Sequence, residues 1–227
     1  MRIVSWNCNL KLRSKFDKIE EFKPDILVVQ ECEKLPKDYF PNAHYLWVGR
    51  NDRKGLGVII FGSSGKIYDK YNENLIEFLP VETDFGSILG VWAFNHRARK
   101  RFGEGVKGHI LPAIDYYASF IDNKKVLGVI GDFNNSVIWD KPKSELTFKN
   151  AITKFESFGL QSAYHHLNSE NFGEEALGTL FHMKNRNKKY HIDYMFLRNA
   201  TSISVGSYEN WIELSDHVPV IVDIQDL

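Results

Sequence analysis

The segment 126–134, VLGVIGDFN, combines a run of apolar residues with polar residues at its end. Such a run is typical of a β-strand that is buried on both faces. Asp132 and Asn134 directly follow the run, and Gly131 allows the chain to turn sharply there. A carboxylate beside a buried strand is costly unless it is paired or binds a metal. The segment therefore predicts a central strand that ends in a functional carboxylate.

Polar side chains also mark the ends of four other strand-like segments. They are Asn7 at the end of 2–7, Gln30 and Glu31 after 25–30, Asp193 within 191–197, and Ser215, Asp216 and His217 before 218–224. Each of these residues alone is more typical of a turn, a helix cap or a surface. Because ligands of open sheets bind outside strand ends, five such sites in one chain predict convergence on one pocket.

Strands outnumber helices along the chain. Strands are predicted at 2–7, 25–30, 44–48, 57–61, 88–95, 126–130, 160–164, 191–197, 202–208 and 218–224, and helices at 14–22, 110–121 and 148–158. Because the helices are interspersed rather than strictly alternating, the pattern favours two packed sheets covered by helices over one doubly wound sheet. No linker or repeat divides the sequence, so we expect a single catalytic domain over residues 1–227.

Composition excludes several classes of protein. The 227 residues include 29 Lys and Arg and 29 Asp and Glu, so the net charge of zero argues against a histone-like DNA binder. No apolar run is long enough to span a bilayer, and the N-terminal residues do not resemble a secretory signal. The two cysteines are too few for a disulfide scaffold or a zinc ribbon. We expect a cytoplasmic monomer with no membrane partner.

Five motifs together resemble the ordered motif set of the endonuclease/exonuclease/phosphatase superfamily, which includes DNase I and the exonuclease III-type repair endonucleases. They are Trp6-Asn7, Gln30-Glu31, Gly131-Asp132-Phe133-Asn134, Ile192-Asp193-Tyr194 and Ser215-Asp216-His217. The match extends from residue 5 to residue 223. The resemblance implies an α/β fold of the DNase I type, a four-layer α/β/β/α sandwich with two central mixed β-sheets.

The resemblance also implies roles for individual side chains. The implied catalytic residues are Asn7, Glu31, His96, Asp132, Asn134, Asp193, Asp216 and His217. Glu31, Asn7 and Asp216 would bind Mg²⁺ or Mn²⁺, because hard oxygen donors suit these cations. Asp132 would activate or orient the attacking water, helped by Asn134 if the backbone is extended there. His217, oriented by Asp193, would contact the phosphate and stabilise the transition state.

Two positions depart from the family pattern. Many relatives have an aspartate two residues after the first asparagine, whereas this chain has Asn9, which leaves the metal site less negative. The family also directs a His or Tyr toward the phosphate next to the central strand. His96 is the candidate here, and Asn95 is the alternative.

Basic residues adjoin the motifs although the net charge is zero. The candidate substrate-binding residues are Arg97, Arg99, Arg101, Lys184, Arg186 and Tyr190. A solvated loop explains any one basic run, but several runs beside the motifs predict a basic rim that attracts a polyanion. We expect a metal-dependent phosphodiesterase or nuclease acting on nucleic acid, either single-stranded or at strand ends. The alternatives are a phosphatase or phosphodiesterase of small molecules (inositol phosphates or nucleotides) and a phosphate-binding module that has lost catalysis.

Overall fold

Two mixed β-sheets packed face to face form the centre of the protein. A computed structural model describes residues 1–94 and 110–225. In this part of the chain, the strands are β1 (Arg2–Asn7), β2 (Ile26–Cys32), β3 (Ala43–Asn51), β4 (Lys54–Phe61), β5 (Gly65–Ile67), β6 (Phe78–Thr83), β7 (Gly86–Trp92), β8 (Val126–Asp132), β9 (Gln161–Ser162), β10 (Leu180–Phe181), β11 (Lys189–Tyr190), β12 (Asp193–Leu197), β13 (Ala200–Val205) and β14 (Val220–Ile224).

Each of the two sheets has six strands in the part of the chain that is described. The first sheet has the order β13-β14-β1-β2-β4-β3, and the second has the order β5-β6-β7-β8-β12-β9. The pairs β1–β2 and β7–β8 are parallel, whereas the other pairs in both sheets are antiparallel. Strands β10 and β11 form a separate small hairpin.

Helices cover the outer face of each sheet, except for the helix Ala163–Asn168, which packs against β12 and β13 at the edge between the two sheets. They are α1 (Phe16–Glu20), α2 (Ile110–Tyr116), α3 (Ala118–Ile121), α4 (Phe148–Ser157), α5 (Ala163–Asn168) and α6 (Tyr208–Trp211), with short 3₁₀ turns at Leu12–Ser14, Glu73–Leu75, Val137–Trp139 and His182–Lys184. Ile19 and Trp211 pack on the outside of the first sheet, and Phe148 and Phe155 pack on the outside of the second. The described residues contain no helix that is long and apolar enough to cross a membrane.

Three apolar clusters separate the four layers. Alternating residues of each strand point to opposite faces, so Ile26 and Val28 face the second sheet while Leu27 and Val29 face the outer helices. The middle cluster lies between the sheets and also contains Ile130. The predicted four-layer α/β/β/α sandwich is therefore confirmed.

Several predicted elements were wrong in detail. Residues 160–164 were expected to form a strand, but the chain extends only over Gln161–Ser162 and then enters α5. Strands β5 and β6 were not predicted, because β5 is a three-residue edge strand and β6 carries a proline within a short apolar run. The predicted helix 110–121 is interrupted at Tyr117, which separates α2 from α3.

Candidate active site

Asp132 is the most deeply buried carboxylate at the end of the second sheet. Its side chain is fully buried at the end of β8. The Nδ2 atoms of Asn7 and Asn134 donate hydrogen bonds to Asp132 Oδ2 over 2.9 and 2.8 Å. The Asn134 backbone N–H donates to Asp132 Oδ1 over 2.8 Å. These contacts join a strand of the first sheet to a strand of the second.

Asn134 differs from the sequence prediction in its backbone conformation. The role predicted for Asn134 was conditional on an extended backbone, whereas Asn134 has φ 47° and belongs to the left-handed region. Asparagine tolerates this conformation better than most residues. The turn directs both donors of Asn134 back onto Asp132, so in this structure Asn134 holds the carboxylate.

Gly131 allows the chain to pass close to its neighbour just before the carboxylate. Its φ of 146° is available to glycine, and a Cβ atom there would lie 2.0 Å from the carbonyl oxygen of Val91. Any side chain at this position would push β8 away from β7. The position of Asp132 therefore depends on this glycine.

Asp193 and His217 form a buried pair beside Asp132. Asp193 lies directly opposite Asp132 in the antiparallel register of β12 and β8. His217 Nδ1 lies 2.9 Å from Asp193 Oδ2, and both side chains are almost fully buried. The carboxylate fixes the imidazole ring and leaves Nε2 for another partner. Lys189, a basic residue close to Asp193 in the sequence, donates instead to the carbonyl of Ala176.

Backbone and hydroxyl contacts hold this pair in place. Thr179 Oγ1 accepts hydrogen bonds from the backbone N–H groups of Ile192 and Asp193, each over 3.0 Å. Ser215 Oγ accepts the His217 N–H over 3.0 Å and donates to the carbonyl of Asn7 over 2.7 Å. The strand that carries Asn7 is thus tied to the turn that carries His217. Thr179 was not predicted, because no motif or strand end marks it in the sequence.

Burial and mutual charge shift the pKa values of this cluster. Burial, followed by the charge of Asp193, raises the pKa of Asp132 to about 7. Burial by itself would lower the pKa of His217, but the carboxylates of Asp193 and Asp132 outweigh it and raise that pKa to about 10. We therefore expect a protonated, cationic His217 at neutral pH. A buried imidazolium with a free Nε2 is suited to bind a phosphate oxygen.

Glu31 lies at a β-bulge at the end of β2. The register with β4 shifts between Gln30 and Cys32, and Glu31 has φ 59°, a strained value for a residue other than glycine. Its Oε2 atom lies 2.7 Å from Lys54 Nζ, and its side chain is 18% exposed. Bulges are found beside functional sites because they redirect a side chain. Lys54 was not predicted at this site, since nothing in its local sequence distinguishes it from a surface lysine.

Asp216 is linked to the loop that follows β1. Asn9 Nδ2 donates to Asp216 Oδ1 over 3.1 Å. Asn9, Leu10 and Lys11 are all left-handed, with φ values of 48°, 69° and 54°. Backbone strain of this kind is a feature of ligand-binding loops.

Two groups of side chains offer atoms to a divalent cation. The ligand atoms of Asp132, Asp193 and His217 lie within 4.8 Å of one another. Asp193 Oδ1 is buried and has no hydrogen-bond partner in the described part of the chain. However, a cationic His217 repels a metal ion, so this group is better suited to a phosphate oxygen and a water.

The second group, Glu31, Asn7 and Asp216, is the metal set that the sequence resemblance implies, and in the structure Asn9 donates to both Asn7 Oδ1 and Asp216 Oδ1. Asn7 donates its Nδ2 to Asp132. Its Oδ1 accepts the Asn9 N–H over 3.1 Å and no other hydrogen bond from the residues that the structure describes, so Oδ1 is the atom available to a cation. Glu31 already binds one cation, the Lys54 ammonium. These donors are all oxygen atoms, which is the chemistry that Mg²⁺ and Mn²⁺ prefer.

The predicted substrate-binding residues are only partly described. His96, the alternative Asn95, and Arg97, Arg99 and Arg101 lie outside the described residues.

The remaining predicted substrate-binding side chains, Lys184, Arg186 and Tyr190, also make contacts within the protein. Lys184 Nζ donates to the carbonyl of Glu213 over 3.2 Å, and Arg186 Nη1 lies 2.6 Å from Glu209 Oε1. Both basic side chains therefore bind the segment around α6, because the β10–β11 hairpin packs there. Tyr190 packs against Trp139, with ring centroids 5.4 Å apart.

Comparison with solved structures reveals the same architecture in several nucleases. The 3'-5' exonuclease NExo from Neisseria meningitidis matches with a TM-score of 0.71 at 16% identity, covering 99% of this chain and 100% of the other. An AP endonuclease from Archaeoglobus fulgidus matches with a TM-score of 0.70 at 14% identity, covering 99% of each chain. An endonuclease/exonuclease/phosphatase family protein from Leptotrichia buccalis matches with a TM-score of 0.57 at 16% identity, covering 99% of each chain. No protein-family model matches this chain, and no curated protein is similar to it in sequence.

Proposed function

The chain has the DNase I-like fold of the endonuclease/exonuclease/phosphatase superfamily, and from this premise we propose that it is a divalent-metal-dependent phosphodiesterase acting on nucleic acid. The observation that carries the proposal is the buried cluster of Asp132, Asp193 and His217 at the ends of the central strands. A module that only binds phosphate has no need for two buried carboxylates beside its histidine, because their negative charge opposes an anion.

Each member of the cluster has a distinct task in this proposal. Asp132 accepts a proton from the attacking water, and its pKa of about 7 suits a base that works near neutral pH. Asn7 and Asn134 hold this carboxylate through their Nδ2 atoms. His217 donates from Nε2 to a non-bridging phosphate oxygen and stabilises the charge that builds up there. Asp193 is a positioning residue, since it acts through the His217 ring.

The cation would be held by the carboxylates of Glu31 and Asp216 and by the Oδ1 atom of Asn7. When bound there, Mg²⁺ or Mn²⁺ would polarise a phosphoryl oxygen and neutralise charge on the leaving group. The donor set contains fewer acids than in many relatives because Asn9 replaces an aspartate, so we expect weak metal binding.

Nucleic acid is the proposed substrate, on two grounds. The solved structures with this architecture include an exonuclease and an AP endonuclease. The sequence also places Arg97, Arg99, Lys100 and Arg101 directly after the predicted active-site residue His96. A run of this charge attracts a polyanion, and its contribution falls as salt rises. Small phosphate esters such as inositol phosphates or nucleotides remain the second candidate, because the cluster itself needs only one phosphate group.

A panel of substrates tests the reaction and its class. The purified protein is incubated with Mg²⁺ or Mn²⁺ and with single- and double-stranded DNA, RNA, abasic DNA, inositol phosphates and a generic diester. We expect cleavage of polynucleotides that stops in excess chelator, and a loss of about 10²-fold or more in Glu31→Gln and Asp132→Asn. The matched control is Asp115→Asn, because Asp115 is a surface acid paired with Lys154. Activity that persists in chelator or in Asp132→Asn contradicts the proposal.

The basic run separates polynucleotide substrates from small ones. Neutralising Arg97, Arg99, Lys100 and Arg101 together should reduce cleavage of polynucleotides and flatten its salt dependence. Hydrolysis of a small diester should be nearly unchanged, since that substrate contacts only the central residues. Equal losses on both substrates would indicate that the run contacts the phosphate in the central pocket. No loss on either substrate would indicate that its side chains are solvated and do not contact substrate.

A further inference from the structure

The Lys54 ammonium occupies the carboxylate that the proposed function assigns to the metal. Lys54 is the first residue of β4, and its Nζ lies 2.7 Å from Glu31 Oε2. The same Nζ lies 5.2 Å from the ring centroid of Trp92. Trp92 ends β7 directly beside Asp132 in the parallel register. Lys54 therefore connects the end of the first sheet to the end of the second, next to the proposed catalytic base.

An ordinary surface ion pair does not explain this arrangement. Glu31 is held at a strained backbone position and is 18% exposed, whereas ion pairs of the surface are formed by mobile side chains. A divalent ion bound at either oxygen of the Glu31 carboxylate lies close to the Lys54 ammonium at Oε2, and the two cations repel each other there. Binding of the metal must therefore weaken or break the contact between Lys54 and Glu31.

The face of Trp92 provides a position for the ammonium after it leaves Glu31. An aromatic face attracts a cation, and this attraction keeps Nζ near the cleft. A lysine released there is a flexible cation with three donors, which is suited to a phosphate oxygen. The substrate supplies such oxygens next to the metal.

We propose that Lys54 is a ligand of the substrate phosphate and that Glu31 holds it until a divalent cation takes the carboxylate. This inference rests on the proposed function, because it assumes that Glu31 binds the metal. It adds a phosphate subsite formed by Lys54 and Trp92, for a phosphate ester adjoining the Glu31 metal site. It also couples the two ligands, so that metal promotes phosphate binding and phosphate promotes metal binding to the same degree.

The proposal predicts two effects of opposite sign for one substitution. In Lys54→Met the metal no longer competes with an ammonium, so we expect the Mn²⁺ dissociation constant to fall by about 3- to 10-fold. The same variant loses a charged donor, so inorganic phosphate should bind the Mn²⁺-loaded protein about 10-fold more weakly. If Lys54 only stabilised the fold, its substitution would not tighten Mn²⁺ binding and weaken phosphate binding at the same time.

Lys34→Met is the matched control. Lys34 Nζ also lies over a tryptophan, 5.8 Å from the ring centroid of Trp47, and is 3.6 Å from Asp52 Oδ1. The substitution therefore removes the same charge from a similar setting, in which the ammonium pairs with Asp52 and not with Glu31. Free Mn²⁺ is measured by electron paramagnetic resonance without substrate, and inorganic phosphate binding is measured by calorimetry at saturating Mn²⁺.

Glu31→Gln separates failure of the inference from failure of the proposed function. If Glu31→Gln binds Mn²⁺ as tightly as the unsubstituted protein, Glu31 is not the metal ligand and both proposals lose their basis. If Glu31→Gln loses Mn²⁺ but Lys54→Met behaves like Lys34→Met in both measurements, only the inference is overturned. Tighter Mn²⁺ with unchanged phosphate binding in Lys54→Met also overturns it, because Lys54 then competes with the metal without contacting the phosphate.

Discussion

Replacing Asp193 by asparagine should lower the pKa of His217 while keeping the shape of the site. The substitution removes a charge 2.9 Å from His217 Nδ1 and leaves an amide of the same size. In the protein, the two carboxylates raise the pKa of His217 to about 10 despite its burial. An adjacent opposite charge shifts a pKa by about 1 to 3, and Asp132 remains in the variant. The pKa of His217 should therefore fall by an amount in that range.

The lower pKa of His217 in Asp193→Asn should change how the stability of the protein depends on pH. In the unsubstituted protein the pKa of His217 lies above its value in the unfolded chain. The contribution of the charged His217 to the stability of the fold is therefore complete below pH 6.5 and is lost as pH rises toward about 10. One proton contributes at most about 1.4 kcal/mol to the free energy of unfolding for each pH unit in that window. In Asp193→Asn the loss should be smaller and should be complete at a lower pH.

The assay combines an NMR titration of the histidine ring with denaturant unfolding at several pH values. The His217 signal is identified by its absence in His217→Ala. Asp216→Asn is the control, because Asp216 is the least of the carboxylates that raise the pKa of His217 and the substitution should move the titration only slightly. A His217 that titrates identically in Asp193→Asn and in the unsubstituted protein refutes the reasoning.

Turnover gives an independent measure of the same pair. Removing His217 should cost about 10²- to 10⁴-fold, the range for a positioned acid or oxyanion stabiliser. Asp193→Asn combined with His217→Ala should be little worse than His217→Ala alone, because Asp193 acts through the ring. Losses that multiply in the double variant would assign a separate task to Asp193.

Three further substitutions test the loop, the glycine and the buried base. Leu10→Gly should raise the free energy of unfolding by about 0.5 to 1 kcal/mol because Leu10 has φ 69°, whereas Leu10→Ala should not; a lower melting temperature in the glycine variant contradicts this. Gly131→Ala should destabilise the protein by about 3 kcal/mol, since its Cβ would lie 2.0 Å from a backbone oxygen, and an unchanged melting temperature argues against that contact. The raised pKa of Asp132 means that the protein loses stability as pH rises from about 4 to about 7, and this loss should be absent in Asp132→Asn. Denaturant unfolding at several pH values checks it, and an unchanged pH dependence in Asp132→Asn contradicts the assignment.

The polar residues at the strand ends could be predicted from the sequence, because a strand and its end are recognised from the order of neighbouring residues. A buried apolar run followed by Asp132 indicates both a strand and its polar end, and the same reasoning applies to Asn7 and Asp193. The two-sheet architecture follows from the same runs, since alternating side chains must be buried on both faces. The strand ends and the two sheets can be predicted from only two facts, the alternation of side chains along a strand and the free-energy cost of burying a carboxylate.

Contacts made across the fold could not be predicted in this way. Lys54 reaches Glu31 from a neighbouring strand, and Arg186 reaches Glu209 from a hairpin, so neither partner is marked by sequence spacing. Asn134 was misinterpreted because its turn follows from hydrogen bonds to Asp132 rather than from strand periodicity. The error at residues 160–164 has a similar origin, since a short apolar run does not distinguish a strand from a helix.

The pairing of β1 with β14 has a consequence for synthesis of the protein. Ile3 lies opposite Val222, and Ser215 Oγ donates to the carbonyl of Asn7, so the two ends of a long segment meet at the cleft. Closing a loop of more than 200 residues is slow, and it cannot begin before the later partner has left the ribosome. A nascent chain holding Asn7, Glu31 and Asp132 still lacks His217. The cleft is therefore incomplete until the segment that carries Ser215 and His217 has left the ribosome.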